Sequence, residues 1–76
     1  MSKKRDLKKQ IQESEKEIIA LEQKRNRSQS SLLEAQLNNE TPNASDVEYF
    51  KLYSNLIKLE RENLRQLNQE LDKLKK

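Results

Sequence analysis

The chain has no cysteine, no histidine, no glycine and no tryptophan, a single proline, and only three aromatic residues in 76. Each absence excludes a class of chemistry. Without cysteine no disulfide can staple so small a chain, and without histidine as well, a metal site would have to be built from oxygen ligands alone. A serine or threonine nucleophile has no imidazole to take its proton. Without glycine, neither a phosphate-cradling loop nor a dinucleotide-binding fingerprint can form. No apolar stretch near the N-terminus reads as a signal peptide, and no segment is long and apolar enough to span a membrane. The expectation is a cytoplasmic protein that is not an enzyme, with no cofactor, no metal and no small-molecule substrate.

What the sequence does contain is charge and a heptad pattern. Charged residues make up 38% of the chain, and many of them face one another across single helical turns. Glu13, Glu15, Glu17 and Glu22 alternate with Lys8, Lys9, Lys16 and Lys24, as on a solvated helix face where side chains three or four apart screen each other.

Beneath the charge, apolar and small residues recur at alternating spacings of four and three. In the first half they are Leu7, Ile11, Ser14, Ile18, Leu21, Arg25, Ser28, Leu32 and Ala35. In the second half they are Phe50, Tyr53, Ile57, Glu60, Leu64, Leu67, Leu71 and Leu74. This is the seam of a coiled coil.

Between the two runs lie Asn38, Asn39, Thr41, Pro42 and Asn43, and a proline cannot continue the helix before it. Ser45-Asp46-Val47-Glu48 has the form of a capping box, with Thr41 as a rival cap and Pro42 as the first helical residue. The fold expected is all-α: an antiparallel two-helix coiled-coil hairpin. It forms one domain over residues 1–76, with helix 1 over about 4–39, a loop over 40–45 and helix 2 over about 46–75. The helices should be rods of roughly 45 to 55 Å.

If the chain reverses at residues 42 and 43, the two seams meet layer for layer. Ile11 faces Leu74, Ser14 faces Leu71, Ile18 faces Leu67 and Leu21 faces Leu64. Ser28 then faces Ile57, Leu32 faces Tyr53 and Ala35 faces Phe50. In that register Arg25 falls opposite Glu60, the only other charge on the seam, and the pair is expected to fix the alignment.

Two helices bury only a seam, and a chain of this size needs a staple or a partner. Tyr49, Leu52, Leu56 and Leu59 form a second apolar row beside the seam of helix 2, widening its apolar arc to about 160°. Leu33 and Leu37 lie just outside the seam of helix 1. These six residues are the candidate partner-binding surface, for another protein or for a second copy in a homodimeric four-helix bundle.

The termini lie at one end of a hairpin, so Lys3, Lys4, Arg5, Lys8, Lys9, Lys73, Lys75 and Lys76 gather half of the 16 basic residues into one tip. Such a tip can meet nucleic acid, anionic lipid or an acidic protein surface. The chain lacks the aromatic interleaving of a base-stacking surface.

The function expected is therefore that of a protein-interaction module, as an adaptor, small chaperone or assembly subunit. The alternative is a homodimeric bundle that binds RNA or DNA through its basic end. In its two-helix form the chain resembles the Rop family of plasmid regulators, which implies dimerisation and an RNA partner. The run from Tyr49 to Glu60 is similar in pattern to the second helix of small hairpins in type III export systems, which implies an adaptor or co-chaperone role. A basic first helix with a leucine-rich second also resembles the Rho-binding helical hairpins. The first resemblance covers architecture alone, the second about a dozen residues, and none carries a residue role across.

Overall fold

The computed structural model describes residues 2–75 as two helices, α1 over Lys3–Leu37 and α2 over Ala44–Lys75. They run antiparallel as a rod of 56 × 16 × 15 Å. Ser2 caps α1, its hydroxyl accepting from the Arg5 amide at 3.4 Å. With no glycine or proline inside either helix, nothing interrupts the ladder of backbone hydrogen bonds.

The seam is where the heptads place it. Every seam residue from Leu7 to Ala35 and from Phe50 to Leu71 is buried or half-buried. Ile57 is the most enclosed, at 1% exposure. Leu74 departs from the expectation, remaining 42% exposed.

Both ends of the turn differ from the expected chemistry. The first helix stops at Leu37, two residues early, and Asn39 adopts a left-handed conformation with φ 55°. The Glu40 amide then donates to the Ala35 carbonyl at 2.8 Å and the Asn39 amide to the Gln36 carbonyl at 3.2 Å. Those two bonds are a Schellman closure, with asparagine in the place that glycine usually takes.

At the start of α2 the Ser45 to Glu48 capping box does not form, and Thr41 is not the cap. Asn43 does that work: its Oδ1 accepts from the Ser45 amide at 2.8 Å, and its carbonyl accepts from Val47 at 3.2 Å. An asparagine cap needs only one side-chain acceptor aimed at the second helical amide. Ser45 is thereby drawn inside the first turn.

The reversal thus centres on Asn39, not on residues 42 and 43, and the register moves with it. Arg25 and Glu60 do not pair. Ser14 Oγ donates to Glu60 Oε1 at 2.7 Å, and Asn63 Nδ2 donates to the same oxygen at 3.2 Å. Among the described residues the salt bridge across the hairpin joins Arg61 to Glu22 at 3.2 Å.

A slide of one heptad accounts for these contacts, because it moves each residue along the seam without taking it off the seam. It sets Leu7 level with Leu71, Leu21 with Ile57 and Ser28 with Phe50, all of them residues the hairpin encloses or half-encloses. It also carries Leu74 beyond Leu7, which explains its exposure.

Two predictions follow from this turn and register. Replacing Asn39 with glycine should stabilise the hairpin by about 0.5–1 kcal/mol, and replacing it with valine should cost about 1–2 kcal/mol in urea unfolding. In double-mutant cycles, Arg25→Glu and Glu60→Arg should add to within about 0.5 kcal/mol, whereas Ser14→Ala and Glu60→Leu should couple by about 1 kcal/mol. Charge-swap rescue of Arg25→Glu by Glu60→Arg would restore the rejected register.

Candidate docking surface

Tyr49, Leu52, Leu56 and Leu59 stand out of α2 with 49, 49, 37 and 68% exposure. Their spacing of three, four and three repeats along one helix face, so they line up into a stripe of about 15 Å. Tyr49 is held at one end of the stripe by stacking on Tyr53, with ring centroids 6.0 Å apart and planes at 17°. Tyr53 is itself half-buried in the seam. The exposed ring is therefore braced from behind, which lowers the ordering cost of any contact it makes.

Leu33 and Leu37 are exposed as expected, at 52 and 83%, but they do not extend this stripe. In two right-handed helices running antiparallel, residues that follow the seam by one position share one side of the hairpin, and residues that precede it share the other. Glu22 follows Leu21 and Arg61 follows Glu60, and their salt bridge marks the first side. Ile19, 56% exposed, follows Ile18 and lies there beside Arg61 and Leu64. Leu33 follows Leu32 and belongs to the same side.

The α2 stripe precedes Phe50, Tyr53, Ile57 and Glu60 and looks the other way. Leu37 lies on the back of α1 at the loop end. The sequence reading missed Ile19, whose signal was the offset it shares with Leu33.

On the side of the stripe, its α1 border is formed by the residues that precede Leu21, Arg25 and Ser28, which are Ala20, Lys24 and Arg27. Its outer border on α2 carries Glu48, Asn55 and Glu62, the last two lining a shallow depression with Lys58 and Leu59 on the back of the helix. Glu62 is taken up by Arg65 one turn on. That hydrogen bond holds the Glu62 carboxyl below its ordinary value and raises the guanidinium.

The basic tip is built from the first two turns of α1, with Lys3, Lys4, Arg5, Lys8 and Lys9, and from the last turn of α2, with Lys73 and Lys75. Lys76 lies outside the described residues. The two α2 lysines complement the negative end of their helix dipole, whereas the α1 cations crowd a positive end. A shallow depression there is lined by Ser2, Lys4, Arg5 and Lys8.

Among the described residues, no group of three acidic side chains could hold a metal ion, and no helix is long and apolar enough to cross a membrane. No protein-family model matches the chain, and no curated protein or solved structure is significantly similar to it.

Proposed function

We propose that this hairpin is a non-enzymatic protein-interaction module of the cytoplasm, of the adaptor, small-chaperone or assembly-subunit kind, and that it docks through the α2 stripe. The observation that carries the reading is four large side chains aligned on one helix face and left about 40 to 70% exposed on a chain this small in core. The seam fixes the scaffold, and the braced Tyr49 and the three leucines offer the anchors that a partner surface can enclose.

Photo-crosslinking from position 56, compared with position 16 on the solvated face of α1, tests it. A crosslinked product of discrete mass is expected from position 56 alone. Equal products from both positions would remove the stripe as the interface.

The grouping of seven described cations at one tip supports a second reading, in which a homodimeric bundle binds RNA or DNA there. Salt separates the two. Phosphate contacts release counterions, so affinity falls steeply as salt rises, whereas docking through leucines changes little.

A further inference from the structure

The basic tip is the other exposed surface of consequence, and its shape restricts what it can meet. A helix tilts its Cα–Cβ bonds toward its own N-terminus, and α1 begins at the tip, so Lys3, Lys4, Arg5, Lys8 and Lys9 lean forward past the end of the rod. Lys73 and Lys75 join them from the last turn of α2. All seven are exposed, and neither of the two salt bridges among the described residues draws on them. Cations at the positive end of a helix dipole oppose folding, so the α1 cluster does not serve the hairpin's own stability.

Charge along the rest of the rod has the other sign. Asp6, Glu70 and Asp72 are the acids among the eight cations of the tip, which leaves eight bases against ten acids on the body. A polyanion is thus drawn to the end of the rod and not to its flanks. It must then accept a blunt end 16 × 15 Å across. The major groove of a DNA duplex, about 12 Å wide, takes one helix and not two abreast, and that of RNA is narrower still. Single strands ask for aromatic platforms, whereas Tyr49, Phe50 and Tyr53 all lie toward the loop end. A flat sheet of lipid headgroups sets no such limit.

An apolar side chain at the same place separates lipid from phosphate alone. Leu74 stands 42% exposed between Lys73 and Lys75, and the register that sets Leu7 level with Leu71 sets Leu74 level with Lys4. Leucine gains nothing from a phosphate. It does gain from entering the boundary between headgroups and acyl chains, while the lysines around it reach back to the headgroups. We infer that the tip binds end-on to an anionic lipid bilayer, with Leu74 at that boundary and the cations on the headgroup anions. Bound in this way, the hairpin holds the α2 stripe about 25 to 40 Å above the membrane, free for a partner.

Leu74→Trp gives the chain its only tryptophan and a probe that lipid and nucleic acid affect differently. Phosphatidylcholine vesicles with or without phosphatidylserine, and separately a duplex RNA, are titrated into the full chain. Binding is expected only with phosphatidylserine, with tryptophan emission moving to shorter wavelength and affinity falling as salt is added. Vesicle flotation of Leu74→Ser keeps the test independent of the new indole, and a loss of about fivefold is expected. Each cation near the surface is worth about fivefold in affinity. Lys3→Gln, Lys4→Gln and Arg5→Gln together should therefore weaken vesicle binding about a hundredfold. Lys16→Gln, Lys51→Gln and Lys58→Gln remove the same charge from the body and should weaken it by less than about tenfold.

Duplex RNA bound more tightly than the vesicles, with no change in emission, would give the tip to nucleic acid and overturn the inference. Failure to bind phosphatidylserine vesicles at low salt would overturn it as well. So would equal losses from the tip and body changes, or a Leu74→Ser chain that floats like the unaltered protein.

Discussion

The double change Leu52→Glu with Leu56→Glu is expected to abolish association through α2 while leaving the far-ultraviolet helical signal within a few per cent of its original value. The two halves of that result have separate causes. Leu52 and Leu56 are 49 and 37% exposed in the hairpin, so the chain gives up little packing when they are replaced, and glutamate is nearly as good a helix former as leucine. New like-charge neighbours one turn apart cost only a few tenths of a kcal/mol.

In a docked complex both positions are enclosed, and each carboxylate must be desolvated without a built partner, at about 2 kcal/mol or more apiece. Affinity should fall by about a thousandfold. Leu52→Ala with Leu56→Ala should give an intermediate loss, since it removes apolar area without burying charge. A complex that tolerates the glutamates places its interface elsewhere on the rod.

Replacing Ile57 with alanine should have the largest effect on the fold itself. Among the described residues Ile57 is the one large side chain under 2% exposure, level with Leu21 in the shifted register. Truncating such a residue costs about 2–5 kcal/mol, against a total of about 3–5 kcal/mol that a core this small supplies. The variant is therefore expected to be largely unfolded at 25 °C, or to melt at least about 15 °C lower. Leu37→Ala, at 83% exposure, serves as the matched control and should shift stability by no more than about 0.5 kcal/mol. If Ile57→Ala behaves like that control, the two seams do not pack as described.

Some of this was legible in local sequence alone. The alternation of four and three names the seam because it depends only on helix geometry, and burial from Leu7 to Leu71 follows it. The exposure of the α2 stripe was equally readable, since one antiparallel helix cannot cover an arc that wide.

The Arg25 and Glu60 pairing was not legible. Opposite charges on two seams suggest a pair, but exposed ion pairs contribute too little to fix a register against core packing. The useful clue was Leu7, which had no counterpart in the expected alignment and gains Leu71 in the observed one. The position of Asn39 was a second clue, as one of the few residues that enter the left-handed region readily.

The sequence by itself determined that the chain is two helices, which face of each is buried, and that an apolar row is left over. Each of these rests on the angle between successive residues of one helix, a local quantity. Only the tertiary structure decided the register and the grouping of surface side chains. A slide of one heptad keeps all seam residues on the seam, so periodicity cannot see it, and the left-handed turn at Asn39 selects it. The lateral separation of Leu33 from the α2 stripe likewise exists only once two right-handed helices lie antiparallel. The placing of Lys24 and Arg27 of α1 alongside that stripe is the work of the same pairing.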